Sequence, residues 1–384
     1  MERHATVNTT PPTATSWTAR EIDQQPAVWR ETRALLDRSA AATDAFLKPL
    51  LARADLRLVL TGAGSSAYLG RCLAPDLLEV LGRRVEAIAT TDLVAAPRRY
   101  FQRAVPTLLI SFARSGNSPE SLAAAELADR LVDECYQLVI TCNGEGALYR
   151  RAEGRARYLA VVLPEATHDR GFAMTSSFSS MLLAAYRLLA PTRVDDAAGE
   201  RISAAGAAML IDALPRIESL TERRFTRTVY LGSCGLAGLA EESALKLLEL
   251  TDGAVAALSN STLGVRHGPK TFITADTLVV IFLSNDALTR RYDLDLAREV
   301  VADGIAGRVV VLSAQDAGLD GFDTVRVRGM EAASDAELAF PYLEFAQLYA
   351  LHMSIALGCT PDSPSASGTV NRVVKGVTIH RDGP

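Results

Sequence analysis

Short apolar runs, small polar clusters and longer helical patterns alternate along this chain. Residues 56–61 (LRLVLT) and 107–110 (TLLI) lack polar–apolar alternation and are short, as expected of strands buried on both faces. Each is followed by a small polar turn and a helical pattern. Gly62-Ala63-Gly64-Ser65-Ser66 precedes a helix expected through Leu81, and Ser115-Gly116-Asn117-Ser118-Pro119-Glu120 precedes one over residues 121–131. Pro119 suits a first helical turn, where its missing N–H would be unpaired anyway. A third polar loop, residues 168–177, leads into a helical run through Leu189. Upstream, helices are expected over residues 34–51. The spacing from Thr18 to Glu21 reads as a capping box, so order should begin near Trp17, after a Thr/Pro-rich and mobile head.

The pattern repeats. Shifting the chain by 170 residues lays Leu60–Gly64 on Tyr230–Cys234, and LLISF (108–112) on LVVIF (278–282). At 171, Leu138-Val139-Ile140 meets Val309-Val310-Val311. Three strand-plus-loop units in one order predict two tandem α/β units, each a parallel sheet flanked by helices in three layers. The halves differ chemically. Where the first has Arg114-Ser115-Gly116-Asn117, the second has Ser284-Asn285-Asp286-Ala287, and an acid there opposes an anion.

A strand, a small polar turn and a helix start together form an anion site, because free N–H groups and the positive helix end converge. Ser65, Ser66, Ser115, Asn117 and Ser118 can add hydrogen bonds to phosphate oxygens at the carboxyl ends of parallel strands, where ligands of open α/β sheets bind. Taken alone, each loop equally fits an ordinary capped βα connection.

Composition narrows the setting. The chain has 384 residues, 48% of them apolar, ample for a buried core in two ordinary domains. A formal charge of −5 without a basic block argues against nucleic acid as the main partner. Five scattered cysteines without metal-ligand spacing suggest reduced thiols and no metal site. No apolar run is long enough to span a bilayer and the head lacks a signal-peptide core, so a cytoplasmic protein is expected.

Three further residues could move protons or bind a carbonyl. His267 lies between Arg266 and a Gly-Pro turn, and histidine titrates near neutrality; a plain turn histidine fits as well. Glu249 ends a helix over residues 241–250 whose Leu245, Leu247, Leu248 and Leu250 should pack inward, and by type it reads as a solvated helix residue. Lys375 sits among Val373, Val374 and Val377, where apolar surroundings would lower its pKa and make a neutral amine available; a snorkelling lysine is the alternative.

Six stretches, LTGAGSSA, SFARSGNSPES, THDRGFAMTSS, ESALKLLELT, RHGPK and PSASGTVNRVVKGVTIH, stand in one order along the chain. In them the chain resembles double sugar-isomerase (SIS) proteins related to the isomerase domain of glucosamine-6-phosphate synthase. Over nearly its whole length it is similar to the bacterial galactosamine-6-phosphate deaminase/isomerases, also described as tagatose-6-phosphate ketose/aldose isomerases. The resemblance implies an N-terminal extension with the first helix over 1–36, SIS domains over 37–210 and 211–360, and a tail over 361–384 contributing to the active site. It implies phosphate contacts from Ser65, Ser66, Ser115 and Ser118, with Gly64 and Thr175 beside the substrate. The synthase carries serine and glutamine at Ala113 and Arg114, so Arg114 is expected to take over a phosphate contact.

By the same resemblance Glu249 moves a proton between C1 and C2, Lys375 binds the carbonyl, and His267 opens the ring from the neighbouring subunit of a homodimer. The chain starts almost directly with the sugar unit, without a glutaminase domain, which favours deamination over synthesis. The expected reaction converts galactosamine 6-phosphate to tagatose 6-phosphate and ammonia without cofactor or metal. Plain isomerisation, glucosamine-6-phosphate deamination and a non-enzymatic sugar-phosphate sensor are the alternatives.

Overall fold

The computed structural model describes residues 16–374 and 376–380. Most of the head expected to be mobile, residues 1–15, and Lys375 lie outside the described residues. The first helix, α1 (Trp17–Asp23), is capped by Ser16, whose Oγ accepts from the Ala19 N–H at 3.1 Å. The expected Thr18–Glu21 capping box does not form. Thr18 donates its N–H and hydroxyl to Asp362, and Glu21 instead accepts from the amides of Arg170 and Gly171. The next helix, α2 (Gln25–Leu51), begins earlier than residue 34 because Pro26 starts its first turn.

The first sheet comprises β1 (Arg57–Thr61), β2 (Val85–Ala87), β3 (Thr107–Ala113), β4 (Cys135–Thr141) and β5 (Tyr158–Val162). All pair in parallel, in the order β2-β1-β3-β4-β5. Parallel neighbours need crossover segments. These are α3 (Ser65–Leu81), then α4 (Thr90–Ala95) with α5 (Pro97–Tyr100), then α6 (Pro119–Leu131) and α7 (Ala147–Ala152). Three helices lead to the second unit: α8 (Ser176–Leu189), α9 (Asp196–Asp212) and α10 (Leu214–Glu222). The divisions expected at residues 36 and 210 fall inside α2 and α9.

The second sheet repeats the first. It comprises β6 (Arg227–Gly232), β7 (Ala256–Ser261), β8 (Thr277–Phe282), β9 (Arg308–Ser313) and β10 (Asp323–Arg326), with α11 (Gly235–Leu250) and α12 (Ala287–Asp303) as crossovers. Its order, β10-β9-β8-β6-β7, is the first sheet's order read from the other edge. The Arg57–Thr107 pairing recurs as Arg227–Thr277, an offset of 170. The Ile110–Leu138 pairing recurs as Val280–Val310, so the third strand corresponds at 172 rather than the expected 171. The difference matters because a one-residue slip would turn every side chain to the opposite face.

The last helix, α13 (Asp335–Ala356), is buried on all sides and packs against α9, α11 and α2, where Trp29 meets Phe340 edge-on at 5.2 Å. One continuous core thereby joins the halves, with α11 also lying along α3. Beyond Leu357 the described chain forms neither helix nor strand, as expected of the tail. No helix among the described residues is long and apolar enough to cross a membrane.

Candidate active site

Two loops follow adjacent parallel strands and therefore meet. After β1, Gly62 packs so tightly that a Cβ would lie 2.5 Å from Ser66 backbone atoms, and Gly64 has φ +55°. Ser65 and Ser66 then open α3, both buried. After β3, Gly116 adopts φ +67° against Gly146. Ser118 caps α6, its Oγ accepting from the Ser121 N–H at 3.3 Å and donating to Glu120 at 3.2 Å. Between these loops lies a cavity of 130 Å³ lined by Ser66, Ser115, Gly116, Ser118 and Ser121, and walled by Met174, Arg114 and tail residues Arg372, Val373 and Val374. Ligand pockets that hold a whole small molecule usually run to about 300 Å³ or more, so this cavity has room for one end of such a molecule.

The structure thus brings Ser66, Ser115 and Ser118 to one place, with Arg114 beside them. Others among the expected substrate residues are turned elsewhere. Ser65 Oγ accepts from the Lys246 ammonium at 2.9 Å. Asn117 uses its Oδ1 to take the Ala147 N–H at 3.0 Å, bracing the loop against α7. Thr175 is fully buried and donates its N–H to Asp169 at 2.7 Å; the same carboxylate takes the Ser177 N–H and hydroxyl at the start of α8. Arg114, also buried, donates to the Phe172 carbonyl at 3.1 Å and the Arg372 carbonyl at 2.7 Å. Burial, then the neighbouring Arg372 charge, push its pKa down.

Glu249 is the end of a charged row on α11. Lys246 Nζ lies 2.5 Å from Glu249 Oε2 and 3.4 Å from Glu242 Oε1. Lys246 and Glu242 are fully buried, whereas the Glu249 side chain is one-quarter exposed. Burial pushes the Glu242 carboxyl up to about 7 against the pull of Lys246. For Lys246 burial disfavours the charge, but Glu242 and Glu249 together outweigh it and raise the pKa. The sequence reading missed Lys246 and Glu242. Their signal was available: with Glu249 they recur at helical spacing among Leu239, Ser243, Leu247 and Leu250, all buried, while Leu245 and Leu248, expected inside, are only half-buried.

His267 stands apart. It is exposed between two short 3₁₀ turns after β7, in a loop fastened to α12 by Arg266–Glu299 at 2.7 Å and Lys270–Asp303 at 2.5 Å. Among the described residues its imidazole makes no hydrogen bond, and it lines none of the cavity beside Ser66 and Ser118. In the second unit, Asp286 stands where Gly116 stands in the first, and its carboxylate caps α12 through the Leu288 and Thr289 amides. The acid occupies the helix end an anion would need. A larger groove of 620 Å³ between α9, α10 and β10 shares no residue with either hydroxyl loop.

Residues 50–191 match the SIS domain. A D-galactosamine-6-phosphate deaminase AgaS of Escherichia coli O157:H7 is 45% identical over 377 residues, covering 97% of this chain and 98% of its own. An AgaS of Streptomyces coelicolor is 50% identical over 366 residues, 94% of this chain and 95% of its own. Among solved structures, the tagatose-6-phosphate ketose/aldose isomerase of Escherichia coli superposes with a TM-score of 0.88 at 42% identity, covering 97% of this chain and 98% of that one.

Proposed function

The chain belongs to the AgaS family of D-galactosamine-6-phosphate deaminases, and from that premise we propose that it converts galactosamine 6-phosphate to tagatose 6-phosphate and ammonia. The observation that carries the reading is the junction of two chemistries. A hydroxyl-lined pocket at Ser66, Ser115 and Ser118 is joined, through Ser65, to buried Lys246 and its partner Glu249, whose carboxylate is partly open to solvent. The 6-phosphate sits at the α6 N-terminus and the sugar extends toward α11.

In this reading the open-chain 2-amino aldose loses its C2 proton to the Glu249 carboxylate. The electrons of that bond form the C1–C2 enolamine as the C1 oxygen takes up a proton. Glu249 then returns its proton to C1, leaving a ketimine at C2. Water adds at C2 and ammonia departs, giving the ketose. Lys246 orients Glu249 and sets a positive charge beside the electron density that builds at C1 and C2. His267 opens the pyranose ring in the active site of a second copy, which is why its loop is exposed here, and the working unit is a homodimer. Lys375 binds the carbonyl. The setting is cytoplasmic.

The deciding experiment incubates the purified protein separately with galactosamine 6-phosphate and glucosamine 6-phosphate and follows ammonia. Release from the first alone supports the reading and fixes the C4 preference. Interconversion of aldose and ketose phosphates without ammonia would favour plain isomerisation, the activity in the solved relative's name. Binding without turnover of either would favour a sensor. For the dimer, specific activity should fall on dilution in step with dissociation, and full activity in a monomer would overturn the shared site.

A further inference from the structure

We propose that Arg114 and Arg372 form a latch that phosphate closes, seating the C-terminal tail over the active site, so that both are positioning residues for the reaction. The inference rests on reading the hydroxyl-lined cavity as the phosphate site.

Arg114 follows β3 directly and is 8% exposed. Both of its hydrogen bonds go to neutral carbonyls, Phe172 on the loop before α8 and Arg372 on the tail. Arg372 returns a hydrogen bond from its own guanidinium to the Asp169 carbonyl. Among the described residues neither arginine is ion-paired. A buried guanidinium with no carboxylate at ion-pairing distance is costly, and here the Arg372 charge adds to that cost while Asp169 and Glu249 act against it from farther away. Both arginines line the cavity that holds Ser66, Ser115 and Ser118. A phosphate monoester near neutral pH carries close to two negative charges, so its arrival supplies the missing counter-charge to both.

The tail depends on this pair. Its first anchor is Asp362, whose carboxylate takes the Trp17 and Thr18 amides and the Thr18 hydroxyl, each at 2.8 Å. Its second is Ala366, whose N–H reaches Asp252 at 3.3 Å. Beyond Ala366, among the described residues, each side-chain hydrogen bond from the tail to the body of the protein runs through Arg372. Val373 and Val374, next in line, form the outer wall of the cavity. The tail is therefore held by two arginines whose charges oppose each other, and an anion between them favours the tail in place. Arg114 thus does more than face the phosphate: it transmits the anion's presence to the tail.

The test is hydrogen exchange of the tail peptide spanning residues 366–380, with inorganic phosphate as probe and chloride at equal ionic strength as control. Phosphate should slow exchange in the wild type by about tenfold, within the usual range for coupled sites. Arg372→Gln lies on the exposed tail and leaves the core intact; its tail exchange should be unaffected by phosphate, while calorimetry still detects phosphate at the hydroxyl loops. Arg114→Gln should behave likewise, with Arg114→Lys restoring part of the effect. In turnover assays Arg372→Gln should raise KM for the phosphorylated amino sugar about tenfold with kcat little changed, the split expected when substrate seating rather than the proton transfer is weakened. Phosphate that binds without slowing tail exchange in the wild type overturns the latch, as does an Arg372→Gln tail that still responds. Failure of inorganic phosphate to bind removes both the latch and the phosphate reading. Phosphate-dependent ordering without ammonia release from any amino sugar leaves the latch standing and removes the proposed reaction.

Discussion

Lys246 stands one turn before Glu249 on α11, with its ammonium 2.5 Å from that carboxylate and 2.9 Å from Ser65 Oγ on α3. The contact ties the two units together at the point where one supplies the hydroxyl loops and the other the carboxylate. Ser65 is the bridge: it opens the helix whose next residue, Ser66, lines the hydroxyl-rich cavity. A contact made by one lysine therefore sets the distance between the hydroxyl-lined cavity and the Glu249 carboxylate, the kind of fixed geometry on which the proposed proton transfer would depend.

Replacing Glu249 by Gln removes the proposed proton acceptor and keeps the shape. General acid–base steps contribute about a hundredfold to ten-thousandfold. Turnover on galactosamine 6-phosphate should fall at least about a hundredfold, with KM little changed because the phosphate loops are untouched. Steady-state kinetics check this, and a variant with wild-type kcat takes Glu249 out of the mechanism.

Lys246→Met should cost both activity and stability. It leaves Glu242, fully buried, and Glu249 facing each other without a cation. Removing one member of a buried ion pair costs about 3–5 kcal/mol, and protonation of Glu242, already pushed up to about 7, offsets part of that. The double variant Lys246→Met with Glu242→Leu should recover much of the lost Tm in a thermal melt but not the turnover. Recovery of both would mean that Lys246 serves the core alone.

The repeat and the two hydroxyl loops were legible because they rest on local signals: apolar runs of strand length, glycines where φ is positive, and a serine–proline helix start. What escaped depended on which way a side chain turns after packing. Ser65 and Ser66 are adjacent and alike, yet the first turns to Lys246 and the second lines the cavity. Asn117 looks like an anion ligand in sequence and serves as a brace for α7. Glu242 and Lys246 look like solvated helix residues and are completely buried, because α3 and α13 cover that face of α11. The cap at Ser16 was missed for a related reason: Thr18 and Glu21 are recruited by partners far along the chain, Asp362 and the amides of residues 170 and 171.

Gly116→Ala should damage substrate binding more than folding. The residue holds φ +67°, and its new Cβ would meet Gly146 Cα at 3.3 Å. A positive φ disfavours alanine by about 1 kcal/mol, a small part of a domain's stability, but the loop it distorts carries Ser115 and Ser118. KM should rise about tenfold or more while Tm falls by only a few degrees. A variant with unchanged KM would show that this turn tolerates the shift and that the phosphate is held elsewhere.

Glu344 provides a pH signature in a part of the protein remote from the chemistry. Its carboxyl is fully buried on α13, neither oxygen has a hydrogen-bond partner among the described residues, and a Cβ built on Gly206 would lie 2.7 Å from one of them. Burial first, and the Asp23 charge second, push its pKa well above 4.5. Below about pH 4.5 both folded and unfolded chains hold this proton. As pH rises beyond that, the unfolded chain releases it while the folded one retains it, so the folded state loses about 1.4 kcal/mol of relative stability per pH unit from this group. The loss stops only once pH exceeds the folded pKa. Glu344→Gln, which cannot ionise, abolishes that slope. In denaturant titrations at pH 5, 6 and 7 the variant should gain steadily on the wild type, starting from near equality at the acid end. Parallel stability curves across this range would mean that Glu344 is ionised in the folded protein, with a partner for its charge.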